Sequence, residues 1–292
     1  MLKGILCCMG ANFLFGIGYY FAILLRPLNG ESMFGYRIFV LAPFILLAIF
    51  LFKQTGKFAE LWQKIKQKPP LVFILLLLAL NTGVQLWLFL WAPNHGQALE
   101  VSIGYLLLPI TAVTLGKIVF KEQFTRLKWL AVFFAVIGVF SNVLLSGTFS
   151  WATLVAGLGY PIYITLRRYF GINHLASFFV ELILVIPFAL YFILQTDMQP
   201  ILAENKWIYH FLALFGLVNG AAFIFYIASS NLLPVNVLGL LGYVEPLVML
   251  FISFAIGEVL EAKSYLLMIC LTIAILLLTL DSFKQKKRGK YE

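Results

Sequence analysis

The chain is 292 residues long, 62% hydrophobic and 11% charged, with 21 Lys+Arg against 12 Asp+Glu and a net charge of +9. Soluble domains run at roughly 45–50% apolar and about 25% charged residues, so a water-facing surface cannot be built from so few charges. Three Cys exclude a disulfide scaffold, and the apolar, non-periodic composition excludes disorder and a fibrous repeat. The composition is that of an integral membrane protein.

A helix needs about 20 apolar residues to cross a hydrocarbon core of roughly 30 Å. In chain order such stretches fall at 4–25, 32–52, 71–92, 99–119, 129–146, 150–169, 175–194, 208–228, 235–256 and 264–282. Lys3 and the first stretch could mimic a secretory signal, but no small-residue cleavage site follows, so this span is expected to be retained. The run Phe73-Ile74-Leu75-Leu76-Leu77-Leu78 does not alternate, which argues against a β-barrel. The longest connections, 53–70 and 195–207, leave no room for a soluble catalytic or nucleotide-binding domain.

Charge orients the spans. With the N-terminus inside, one face receives 17 of the 21 basic residues, including Lys53, Lys57, Lys64, Lys66, Lys68, Lys117, Lys121, Arg126, Lys128, Arg167, Arg168 and the tail beyond Lys284. The other face receives Arg26, Lys206 and Lys263, while Arg37 falls within a span. Both termini are therefore expected in the cytoplasm, with the basic residues facing anionic headgroups and not nucleic acid. Cys7, Cys8, Cys270, His95, His174 and His210 have no metal-ligand spacing, so neither a metal nor another cofactor is expected.

The two halves repeat at offsets of 136 to 144 residues. Gly16-Ile17-Gly18-Tyr19 and Leu25-Arg26 return as Gly157-Leu158-Gly159-Tyr160 and Leu166-Arg167. Arg37 six residues before Pro43 returns as Glu181 six before Pro187, and Gly104-Tyr105 with Pro109 returns as Gly242-Tyr243 with Pro246. Glu122 and Trp129 are matched by Glu258 and Tyr265. Residues 1–146 and 147–292 thus read as two repeats of five spans each. Five is odd, so the second copy must insert upside down. The four basic residues in Lys117–Lys128 against one in Glu258–Lys263 agree with this. Inverted repeats are characteristic of secondary transporters, in which two halves expose one central site alternately to each side; channels and scaffolds are the other uses of duplication.

Polar groups within spans point to a pathway or to helix contacts. Glu245 lies about ten residues into span nine, hence near 15 Å of rise and the midplane, directly before Pro246. It is either a proton-coupling carboxyl or a protonated hydrogen-bonding contact. Arg37 and Glu181 each sit some 9 Å inside opposite surfaces, which leaves about 12 Å between them in a core of roughly 30 Å. They read as separate gates or anchors, or as side chains that snorkel outward. Asn81, Gln85 and Asn219, with Tyr19, Tyr20, Tyr105, Tyr160, Tyr163 and Tyr243, suit an amphiphilic organic solute better than a bare ion. Trp87 and Trp91 read equally as interface-belt residues or as walls. Pro43, Pro109, Pro187 and Pro246 are the expected helix breaks.

The stretch Trp91-Ala92, Asn94, Gly96 and Leu99-Glu100-Val101-Ser102-Ile103-Gly104-Tyr105 with Pro109 resembles the RarD-like branch of the drug/metabolite transporter superfamily, whose repeated unit is the EamA domain. Glu181-Leu182 with Pro187, Tyr163 with Leu166-Arg167, and Pro234, Gly239-Leu240-Leu241, Tyr243, Pro246 and Asp281 extend the resemblance over nearly the whole chain. Leu108, Ile23, Glu31 and Glu245 depart from the pattern; Glu245 stands where the family carries a small apolar residue. The resemblance implies a ten-helix, all-α inner-membrane permease for small organic solutes. With no Walker-type loop present, a secondary permease working by alternating access is expected, in contact with lipid and solute, as a monomer or homodimer with no obligatory partner. The alternatives are a passive channel or facilitator and a membrane scaffold; sparse His and scattered carboxylates speak against an intramembrane enzyme.

Overall fold

The computed structural model describes residues 2–121, 124–146, 150–232 and 241–288. Among these residues the structure is helical throughout, with no strand. The helices are α1 (Leu2–Leu24), α2 (Gly30–Leu51), α3 (Gly56–Gln67), α4 (Leu71–Trp91), α5 (Ala98–Phe120) and α6 (Arg126–Ser146). They continue with α7 (Trp151–Tyr169), α8 (Leu175–Leu194), α9 (Met198–Glu204), α10 (Ile208–Leu232), α11 (Val244–Ala255) and α12 (Tyr265–Arg288). Local chemistry sets several starts. The Asn29 side chain accepts the Ser32 N–H at 2.7 Å to open α2, and His174 Nδ1 accepts the Ser177 N–H at 3.1 Å to open α8. Lys121, with φ 54°, closes α5 in the left-handed region.

Seven described helices are long and apolar enough to span a membrane: Leu2–Leu24, Gly30–Leu51, Leu71–Asn94, Arg126–Leu145, Leu175–Leu194, Ile208–Tyr226 and Ala262–Asp281. The α5 pair Ala98–Leu108 and Ile110–Phe120, bent by 42°, makes an eighth when taken as one span. α7 carries Gly157, Gly159, Pro161, Arg167 and Arg168, which dilute its apolar character. α11 has 12 residues, preceded by a turn at Gly242-Tyr243. The connections are not plain loops: α3 lies in the first long one and α9 in the second. Leu61 is the buried residue of α3, while its neighbour Trp62 is exposed.

Packing follows an exchange of partners. α1 runs along α10 and also packs on α11, while α7 runs along α5 and also packs on α4. α2 packs on α8 and α10, α4 on α8, and α6 with α12 forms a flank through Ala131, Ala135, Leu267, Leu271 and Ala274. Gly16 shows why α11 can come so near α1: a Cβ there would stand 2.6 Å from Val248 Cβ. At one end of the bundle polar bonds tie the connections together. Arg26 Nε donates to Asn94 Oδ1 at 2.7 Å, Asn205 Nδ2 to the carbonyls of Leu24 and Arg26 at 3.0 and 2.7 Å, and Ser32 meets Thr196 at 2.6 Å. At the same end the Glu258 carboxylate caps α5, accepting the N–H groups of Ala98 and Leu99 at 2.9 and 2.5 Å.

Two of the expected helix breaks are corrected. Pro43 and Pro187 lie inside continuous α2 and α8. Each removes one backbone bond, and the packing of these two helices against each other holds the axes through the gap. The α5 bend falls at Pro109, and Pro246 occupies the first turn of α11, where a missing N–H is tolerated. Pro161, absent from the expected set, frees the Gly157 carbonyl, which accepts the Thr111 hydroxyl at 2.8 Å. Glu122, Pro234, Gly239 and Leu240 lie outside the described residues.

Candidate functional site

Arg37, on α2, is buried with no carboxylate on its guanidinium among the described residues. Nη2 donates to Asn219 Oδ1 at 3.2 Å and Nη1 to the Leu86 carbonyl at 3.4 Å, and Nε has no partner there. Aromatic rings supply the rest: the guanidinium carbon stands 4.6 Å from the Phe89 centroid and 5.6 Å from that of Phe215. Asn219 is itself set by its Nδ2–H bond to the Phe215 carbonyl at 2.9 Å.

From Phe89 a series of rings leads across the bundle. Tyr19 meets Phe89 edge-on at 4.9 Å, with its hydroxyl on the Ala98 carbonyl at 3.0 Å. Phe89, Tyr105, Tyr160 and Tyr163 follow with centroid spacings of 6.5, 6.3 and 5.9 Å. The series ends at a second buried charge set. Tyr163 donates to Glu181 Oε2 at 2.7 Å, Thr82 donates to the same oxygen at 3.1 Å, and Arg167 Nη1 lies 3.3 Å from Glu181 Oε1. Arg167 Nη2 also donates to the His174 carbonyl and Ser177 Oγ, both at 2.7 Å.

These contacts correct the reading of three charges. Arg37 and Glu181 do not snorkel to headgroups; both are buried. Arg167 is not a surface charge that orients the chain, because it pairs inside the bundle with Glu181.

Glu245 lies in the first turn of α11, not midway along a long helix. Ten residues separate it from the end of that helix, about 15 Å of rise, so its depth remains near the middle of the bundle. Its backbone carbonyl faces α1 at Gly16, 3.2 Å from where a Cβ would be. No described residue hydrogen-bonds its carboxyl, which is half-buried and lies within the electrostatic reach of Arg37, Tyr105, Tyr160 and Tyr226. Tyr243 is buried beside it with no described partner on its hydroxyl.

The remaining expected residues divide. Asn81 Nδ2 donates to the Gly159 carbonyl at 3.1 Å and Gln85 Nε2 to the Val155 carbonyl at 2.7 Å, so both join α4 to α7. Tyr20 is 41% exposed on the side of α1 turned away from Tyr19, and is not part of the ring series. Trp87 and Trp91 cluster with Trp151, and Trp87 Nε1 donates to Glu31 at 3.2 Å. The sequence reading missed Phe89, Thr82, Arg167 and Tyr226. Phe89 stands four residues after Gln85 and Thr82 three before it, a helical spacing that could have placed them. Arg167 stands one turn after Tyr163, but a basic residue at a helix end reads first as topology.

The family model described as EamA-like transporter family matches residues 2–144 and again 147–280. The chain belongs to the EamA-like transporter family. Among EamA-like relatives it is 49% identical, over 99% of both chains, to an uncharacterized transporter of Pasteurella multocida. It is 46% identical to an uncharacterized transporter of Haemophilus influenzae, over 100% of this chain and 98% of that one. It is also 32% identical to the chloramphenicol-sensitive protein RarD of Pseudomonas aeruginosa, over 98% of each chain. This EamA-like chain is therefore a RarD-like membrane transporter, and its surroundings are lipid and a small-molecule solute.

Proposed function

We propose that the chain is a secondary permease that moves a small organic metabolite or drug across the bacterial inner membrane by alternating access. In this reading ten spans form two inverted sets of five with both termini cytoplasmic, and the solute passes the cluster of Arg37, Phe89, Tyr105, Tyr160, Glu245 and Asn219. The exchange of helix partners carries the proposal. α1 packs with α10 and α11 as α7 packs with α4 and α5, the arrangement that two antiparallel copies related by a two-fold axis would produce. The paired family matches over residues 2–144 and 147–280 support it from the sequence side. Arg37 and the half-buried Glu245 supply charges that a passing solute can engage, and the ring series gives its apolar part a wall.

The test begins with a thermal-shift screen of the purified protein against amino acids, nucleosides, amphiphilic metabolites and antibiotics, chloramphenicol among them. Stabilising solutes then go to counterflow in proteoliposomes. Saturable counterflow is expected; steady, non-saturating flux would identify a channel or facilitator instead. Glu245 is the proton-coupling group in this reading, so Glu245→Gln is expected to remove dependence of uptake on a pH gradient. Unchanged dependence would exclude it.

A further inference from the structure

The connection between the spans α2 and α4 carries α3, a helix of 12 residues with a different character from its neighbours. At 100° per residue its side chains fall into strips along the axis. Phe58, Leu61 and Ile65 form one strip, Lys57, Glu60 and Lys64 the strip on one side of it, and Ala59, Trp62 and Lys66 the strip on the other.

Two of these strips are covered by the bundle, and they fix how the helix lies. The Phe58 ring meets that of Phe179 at 6.1 Å, and Leu61 joins Leu71 and Leu75 in one buried cluster on which Ile65 packs. Phe179 is four residues into α8 and Leu75 four into α4, each about 6 Å of rise. The apolar strip therefore touches two different spans at the same shallow depth, so α3 runs along the ends of the spans and not away from them. The strip of Lys57, Glu60 and Lys64 faces the turn between α7 and α8: Lys64 Nζ donates to the Gly171 carbonyl, and all three charges act on His174. The strip of Ala59, Trp62 and Lys66 is turned the opposite way, off the bundle, with Trp62 59% exposed.

The charges divide in the same manner. Lys57 is paired with Glu60 at 2.7 Å and Lys64 is held by Gly171. Lys66 and Lys68 have no carboxylate partner among the described residues. Lys66 Nζ lies 5.4 Å from the centroid of the Trp62 ring, so a cation and an indole form one surface. A large amphipathic ring beside free lysines, at the depth where apolar spans end, matches the layer in which phosphates meet the tops of acyl chains.

We propose that α3 is an interfacial helix that binds anionic phospholipid, its Trp62 ring set among the upper acyl carbons and Lys66 and Lys68 on the headgroup phosphates. Charge complementarity selects the occupant: the connection 53–70 holds five lysines against one glutamate, and the two lysines without a carboxylate partner flank the outward strip. The binding surface does not rest on the permease reading, and its test measures no transport.

The full-length protein is placed in two sets of vesicles, both equal mixtures of phosphatidylglycerol and phosphatidylcholine. One set carries bromine, a contact quencher of indole fluorescence, on the acyl chains of the phosphatidylglycerol, the other on those of the phosphatidylcholine. The chain has six Trp, so the Trp62 signal is taken as the difference between wild type and Trp62→Phe. That signal is expected to be quenched at least twofold more by brominated phosphatidylglycerol. Each lysine near an anionic surface contributes about fivefold to association, so in Lys66→Gln/Lys68→Gln the two sets should become equal. Lys206→Gln, in the connection before α10, should keep the excess. Each comparison is made within one protein between two vesicle sets, so a general change in folding or depth alters both alike. A Trp62 signal quenched in neither set would place the strip in water or against another chain and overturn the proposal. Equal quenching of the wild-type protein by the two lipids, or an excess that survives in Lys66→Gln/Lys68→Gln, would overturn the selection of anionic lipid.

Discussion

Arg37 and Arg167 are equally buried, each 5% exposed, yet they sit in opposite kinds of surroundings. Arg167 is paired with the Glu181 carboxylate and donates to Ser177 and to the His174 carbonyl, and Tyr163 and Thr82 hold the same carboxylate. Arg37 has one amide oxygen, one distant carbonyl and two ring faces. A buried charge paired with a buried carboxylate holds helices in register. A buried charge held mainly by rings and an amide keeps capacity for a ligand, because a carboxylate or phosphate would bind it more strongly than its present neighbours do. On this difference rests the proposal that Arg167 is structural and Arg37 belongs to the pathway.

The comparison can be broken most directly at Arg167. Arg167→Ala strands Glu181 as an uncompensated buried carboxylate, and a loss of about 3–5 kcal/mol is expected, read as a large drop in thermal midpoint. Arg167→Met combined with Glu181→Leu should recover most of that loss, since both charges are then gone. A double variant as unstable as Arg167→Ala would mean that the pair is more than mutual compensation. Arg37→Gln is the smaller structural change: it removes a hydrogen bond and a ring contact, about 1–2 kcal/mol together. It should leave the protein folded while counterflow falls to background. Full counterflow in Arg37→Gln would move Arg37 to the structural side of the comparison.

The smallest effect concerns the capping histidine of the Arg167 set. Desolvation, with Arg167, Lys57 and Lys64 adding repulsion, pushes the pKa of His174 from 6.5 down to about 4. Its Nδ1 accepts the Ser177 N–H, so the native form is the neutral ring. The unfolded chain therefore binds a proton between these values that the folded chain does not, and stability rises with pH across that window. Melting temperature is expected to be level above pH 7 and to fall from about pH 6.5 toward pH 4, with a shallower fall in His174→Asn, which keeps a capping oxygen. Identical slopes in the two proteins would show that His174 is not the group responsible.

Much of the site was legible in the sequence because charged and amide residues are rare in apolar spans. Arg37, Asn81, Gln85, Glu181, Asn219 and Glu245 stand out against their neighbours, and rarity within hydrocarbon-length segments is itself a signal. Tyr19, Tyr105, Tyr160 and Tyr163 were named on aromatic character and share one ring series; Tyr20, named on the same ground, faces outward. Composition cannot tell adjacent tyrosines apart, whereas helix rotation turns them about 100° from each other. Pro43 and Pro187 show a similar limit: the residue type predicts a lost backbone bond, and only packing decides whether the axis gives way.

What the sequence by itself determined was the solvent and the approximate bounds of the seven helices long and apolar enough to span a membrane. Transfer into lipid is a sum over local residues, so composition and window length read it directly. Membership of a transporter family belongs with these, since it rests on residue pattern over the whole chain. The partners of the few buried polar groups were decided in three dimensions alone. Arg37 meets Asn219 across 182 residues, Thr82 meets Glu181 across 99, and Ala98 is capped by Glu258 across 160. The exposed strip of α3 is of the same kind, because it is defined by the neighbours that cover the other two.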